Sequence, residues 1–154
     1  MMSQPNPPAS AATQAAVNRI IERFEQLTPQ GVDALGELYT TSARFRDPFN
    51  NVQGLAAIQQ VFRHMYLALD QPRFVITGKV VDEGQCFLTW EFLFRMRRFQ
   101  PQVEQKVIGG SHLLLAPDGR IRLHRDYWDA AEELYEKLPL VGSLMRWLKR
   151  RANS

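Results

Sequence analysis

The sequence predicts an α+β domain with helices on one face of a curved, mostly antiparallel sheet. Three observations predict it. Up to Leu69 the apolar residues recur at helical spacing, and beyond Pro72 they alternate with polar ones. Two turn signals, Asp82-Glu83-Gly84 and Pro117-Asp118-Gly119, cut the alternating half into segments of strand length. Finally, 154 residues are enough to bury a core and few enough for one domain.

Taken in order, residues 1–13 are rich in Pro, Ser, Ala and Gln without periodicity, and read as a disordered tail. The folded domain is expected over residues 14–138. Val17, Ile20, Ile21, Phe24 and Leu27 share one face of a first helix that Pro29 and Gly31 end. Val32, Leu35, Leu38 and Tyr39 predict a second, short helix. Leu55 to Leu69 is a third, with Ile58, Val61, Phe62, Met65 and Leu69 on its apolar side. Between them lies ARFRDPFNNVQG, Ala43 to Gly54, which reads as an extended segment closed by a turn.

Strands follow over Arg73–Val81, Gln85–Arg98, Glu104–Ala116 and Arg120–Trp128. The second is the clearest, with Cys86, Leu88, Trp90, Phe92, Phe94 and Met96 on one face. Asp129 caps a further helix to Leu138, with Glu132 and Glu133 in its first turn. Residues 139–154 resume as an amphipathic basic helix. Leu140, Leu144, Trp147 and Leu148 lie to one side of it and Lys149 and Arg150 to the other. Such a segment either packs on the body, its cations favoured by the helix dipole, or makes contact with a membrane surface.

Composition excludes several function classes. A net charge of +3, with its arginines scattered, does not make a nucleic-acid surface. The single cysteine, Cys86, allows no internal disulfide, and the three histidines show no metal-ligand spacing, so neither a metal nor a cofactor is expected. The N-terminus lacks the basic start and apolar run of a signal peptide, and no apolar stretch reaches the ~20 residues of a membrane span. The cytoplasm is the expected location.

Two places carry candidate chemistry. Asp47 precedes Pro48 and sits between Phe45 and Phe49. A carboxylate desolvated by such neighbours becomes a usable base, although Asp-Pro also starts turns in which the carboxylate binds nearby amides. On the last strand, Arg122, His124, Asp126 and Trp128 share a face by the period of two. They form either an acid/base pair looking into a cavity or a solvated outer face. Ser111, Trp90, Phe92, Phe49 and Trp128 are candidate ligand contacts, Trp90 and Phe92 having core packing as the alternative, as has Phe94 more strongly. His112 alternates with Ser111 and faces away, and His64 on the third helix reads as a surface or packed histidine.

The order helix, helix, R-D-P-F loop, helix and four strands resembles the NTF2-like, or SnoaL-like, superfamily over roughly Ala15 to Tyr135. That resemblance implies a cone-shaped fold cupping a hydrophobic pocket, and often a homodimer. The superfamily includes ketosteroid isomerases, limonene epoxide hydrolases and polyketide cyclases. A-R-F-R-D-P-F is similar to the isomerase stretch whose Asp-Pro carboxylate shuttles the proton, which would be Asp47. The Tyr and protonated Asp of the isomerase oxyanion hole are replaced here by Arg23 or Phe24 and by Ser111. G-R-I-R-L-H-R-D-Y-W-D, Gly119 to Asp129, resembles the epoxide-hydrolase ending whose first Asp is catalytic, which would be Asp126. The partner Arg and Asp positions of that enzyme hold Trp90 and Phe92.

The resemblance therefore implies a cofactor-independent acid/base enzyme of isomerase, cyclase or dehydratase type, working on an apolar oxygenated small molecule. Asp47 is its candidate base, with His124 and Asp126 as a second acid/base pair. A binding module for an apolar ligand or a protein partner is the alternative.

Overall fold

In the computed structural model, residues 8–133 and residue 150 are described. The elements are α1 (Ala11–Glu25), a 3-10 helix (Gln30–Glu37), β1 (Tyr39–Arg46), β2 (Asn51–Gln53), α2 (Leu55–Ala68), β3 (Leu69–Asp82), β4 (Gln85–Met96), β5 (Glu104–Leu115), β6 (Ile121–Tyr127) and α3 (Ala130–Glu133). The strands form one six-stranded, curved and unclosed sheet in the order β2-β1-β6-β5-β4-β3, with helices packed against it. Every pairing is antiparallel except β1 with β6, which is parallel.

Local chemistry explains the boundaries. The Ser10 side chain accepts from Thr13 N at 3.2 Å, so α1 begins at Ala11, ahead of the Gln14 that periodicity suggested. Its buried stripe is Thr13, Ala16, Val17, Ile20 and Phe24. Residues 8–13, expected as tail, are thus ordered, and Pro8 also bridges to Asp82. The apolar set expected to make a second α-helix is buried, but in a 3-10 helix that stops at Glu37, leaving Tyr39 to open β1. Spacing at 32, 35 and 38 fits three residues per turn as well as it fits an α-helix.

Gly54, at φ 100, turns the chain from β2 into α2, a conformation glycine adopts without steric cost. β3 starts at Leu69, before Pro72, because a register shift between Asp70 and Arg73 takes the imino residue out of the ladder. A second irregularity lies in β6. Leu114 pairs with Leu123 and Leu115 with Ile121, leaving Arg122 over as the extra residue of a bulge. Ile121 therefore joins His124 in the interior while Arg122 is exposed, and the strict alternation expected along this strand fails at that point.

The core has two parts. The larger packs α1, the 3-10 helix and α2 on the sheet through residues such as Ile20, Leu35, Tyr39, Ile58, Leu88 and Leu113. The smaller gathers Trp90, Phe94 and Val107, with Phe74 and Phe92 stacked beside them at 4.6 Å. No helix among the described residues is long and apolar enough to cross a membrane. Of the residues considered for a membrane contact, only Arg150 is described, and it is exposed; Leu140, Leu144, Trp147, Leu148 and Lys149 lie outside the described residues.

Candidate active site

Between the two parts of the core lies a cavity of about 560 Å3, bordered by α1, α2, β1 and strands β3 to β6. Its walls are largely aromatic and aliphatic, and its polar groups are few: Asp47, Asn50, His64, Ser111, His124 and Asp126.

Pairing in the sheet brings the two carboxylates together. In the parallel β1–β6 pair, Phe45 lies beside His124 and Arg46 beside Arg125. One step further along each strand are Asp47 and Asp126. By alternation they share the inner face with Phe45 and His124, while the arginines turn outward. Phe45 packs edge-on against the His124 ring at 4.7 Å, and Phe49 meets Trp128 at 5.5 Å at the same end.

A hydrogen-bonded chain runs through the interior. Trp90 Nε1 donates to Ser111 Oγ at 2.8 Å, and Ser111 Oγ donates to Asp126 Oδ1 at 2.5 Å. His124 Nε2 lies 2.6 Å from the same oxygen, and its Nδ1 lies 2.7 Å from Tyr39 Oη. Burial, with the Asp126 charge adding to it, pushes the Tyr39 hydroxyl well above the usual tyrosine range, so it stays protonated. The Asp126 carboxylate can only accept from Nε2, which leaves Nδ1 of a neutral ring to accept from Tyr39. The neutral imidazole then carries its proton on Nε2 and donates it to Asp126. Oδ1 thus takes two donors, whereas Oδ2 has no hydrogen-bond partner among the described residues.

Asp47 is held differently. Its Oδ1 accepts from the Phe49 and Asn50 backbone amides at 2.7 and 2.6 Å, and Asn50 Nδ2 donates to both carboxylate oxygens at 3.0 Å. This is the turn reading of Asp-Pro, in a carboxylate that also borders the cavity. His124 is 5% exposed, so the solvated outer face considered for it does not hold. His112 points away and meets Gln85 Oε1 at 3.0 Å, while His64 sits at the exposed rim. Among the described residues no group of three or more His, Cys, Asp or Glu is placed to hold a metal.

Residues 17–124, more than half of the chain, match the SnoaL-like domain. The chain belongs to the SnoaL-like domain family. Solved structures similar to it include a ketosteroid isomerase-like fold from Catenulispora acidiphila in complex with trimethylamine. It has 14% identity and a TM-score of 0.66, over 77% of this chain and 88% of that one. An LEH-like epoxide hydrolase of M. tuberculosis follows at 14% identity and TM-score 0.63, covering 80% and 87%. A putative SnoaL-like polyketide cyclase from a Jannaschia species has 15% identity and TM-score 0.66, covering 84% and 94%. These likenesses are of fold. No curated protein matches the chain in sequence.

In this SnoaL-like domain Asp47, Phe49, Trp90, Phe92, Ser111, His124, Asp126 and Trp128 all border the one cavity. Sequence reasoning missed Tyr39, read as the end of a helix, and Asn50, whose only signal was its place three residues after an Asp that starts a turn. Trp90 owes its place to Gly109 opposite it. A Cβ there would lie 2.6 Å from the indole Cη2.

Proposed function

We propose that this SnoaL-like domain is a cofactor-independent acid/base enzyme that moves a proton on an apolar, oxygenated small molecule. The reaction is an isomerisation, a cyclisation or a dehydration. The observation that carries the reading is Asp126, with one oxygen fixed by His124 and Ser111 and the other without a partner among the described residues, beside an apolar cavity. Two donors on Oδ1 fix the plane of the carboxylate, leaving Oδ2 to take the proton. Asp47 offers a second carboxylate at the same end for the return or relay of that proton. The aromatic walls hold the body of the substrate and keep water from the transfer.

A ligand-binding module is the second reading, and one observation favours it. The side-chain donors of Trp90, Ser111, His124 and Asn50 are already committed within the protein, which leaves few groups to stabilise an oxyanion. The two readings separate in D2O. With a panel of hydrophobic β-hydroxy ketones, the enzyme reading expects NMR to show deuterium entering the carbon next to the carbonyl. Asp126→Asn should slow that exchange by about 100-fold or more. Ketones that bind yet exchange no faster than in buffer would leave the binding module, as would exchange indifferent to Asp126→Asn.

A further inference from the structure

The polar inventory of the cavity is one-sided. Most of its donors are spent: Trp90 on Ser111, Ser111 and His124 on Asp126, and Asn50 on Asp47. Among the described residues, His64 at the exposed rim and the indole N–H of Trp128 are the side-chain donors left uncommitted. The charged part of the free capacity is all acceptor: Oδ2 of Asp126, unpartnered among the described residues, and Oδ2 of Asp47, which receives a single bond. The charge is one-sided too. Asp47 and Asp126 border the cavity, and none of the described residues bordering it is Lys or Arg. Arg44 and Arg46 alternate to the outer face and are exposed, and Arg125, beside Arg46, sits over the Tyr127 ring at 4.9 Å.

From this we infer that the cavity takes a hydrophobic amine, its ammonium group lying between Asp47 and Asp126 and its apolar body against the aromatic walls. The inference rests on the cavity being the ligand site, as the proposed function does, and adds the polar group that the ligand brings. A carbonyl or carboxylate end would meet acceptors of its own kind in a space of low dielectric. A hydroxyl could donate but brings no charge. An ammonium donates up to three hydrogen bonds, balances the carboxylates, and is attracted to aromatic rings, of which Phe45, Phe49 and Trp128 border this cavity. An amine substrate remains compatible with proton transfer, since a carboxylate held by an ammonium can still accept a proton from an adjacent carbon.

Four probes with one hydrocarbon body test it: 1-adamantylmethylamine, 1-adamantanemethanol, 1-adamantyl methyl ketone and 1-adamantanecarboxylic acid. Each is titrated calorimetrically into the full chain at neutral pH. The amine should bind at least about tenfold more tightly than the alcohol, and the carboxylate most weakly. Asp47→Asn and Asp126→Asn should each shrink the amine's advantage while the alcohol binds as before. An alcohol, ketone or carboxylate that matches the amine overturns the inference and leaves the deuterium test of the proposed function standing. Variants that lose the alcohol together with the amine also overturn it, because the carboxylates would then be maintaining the cavity rather than reading charge. If none of the four probes binds, the inference falls, while the proposed function is decided by the deuterium test alone.

Discussion

At the scale of the residue, the directions in the buried chain follow from two constraints: an indole nitrogen only donates, and a carboxylate only accepts. Trp90 therefore makes Ser111 Oγ an acceptor, Asp126 takes the hydrogens of Ser111 and of His124 Nε2, and the bare Nδ1 of the neutral ring takes that of Tyr39. We predict that nitrogen-15 NMR finds the neutral His124 ring protonated at Nε2, in the parent and in Tyr39→Phe alike, because Asp126 accepts there in both. A ring already protonated at Nδ1 in the parent would break the scheme. Tyr39 also sets an alkaline limit. Its folded pKa lies well above its unfolded value, so the stability it confers is intact below about pH 10 and is lost as pH rises through the folded value. Cys86, raised by burial from 9.0 to about 11, adds an earlier loss of the same sign from about pH 9 to about 11. Urea unfolding across the alkaline range should therefore show a falling stability whose slope is gentler in Tyr39→Phe above pH 10, and equal slopes would refute the assignment.

At the scale of the element, Gly109 on β5 is where sheet geometry and the site meet. An added Cβ would lie 2.6 and 2.9 Å from the Trp90 ring and 2.9 Å from the Tyr127 carbonyl oxygen, and that backbone atom cannot step aside cheaply. Gly109→Ala should displace the indole, break its bond to Ser111, and cost about 1–3 kcal/mol as an overpacked position does. Tryptophan emission and thermal melts report both effects; a variant that melts with the parent and keeps its emission would show that the pocket wall is softer than drawn. How legible such features were depends on their sequence range. α1, α2 and the faces of β4 are written in local periodicity, and His124 with Asp126 could be paired as next-but-one neighbours on a strand. The β1–β6 pairing is not local. It joins Tyr39 to His124 across 85 positions, and nothing near Tyr39 distinguishes the start of a short buried strand from the end of a helix. The Arg122 bulge is equally hidden, since only the partner strand reveals the extra residue.

At the scale of the whole molecule, one face of the sheet is covered by helices and the other is covered by none of the described elements. Register places Arg46, Arg125, His112, Phe87 and Val80 in a single row across the outer face, with Tyr127, Ile108 and Val75 on the next rows. Val80 is 71% and Ile108 57% exposed, and Phe87 lies 6.4 Å from Tyr127, so apolar side chains gather where strands β3 to β6 face solvent. Apolar surface gathered in this way marks an interaction site more often than scattered single residues do. A homodimer was the expectation from the family resemblance, and we predict that this face forms it. Light scattering behind a sizing column should then give about twice the chain mass of 17.8 kDa. Phe87→Asp with Ile108→Asp should return the mass to one chain while an adamantane probe that binds the parent still binds, because both side chains lie across the sheet from the cavity. A parent that runs as a monomer, or a double variant that still dimerises, would exclude this face as the interface.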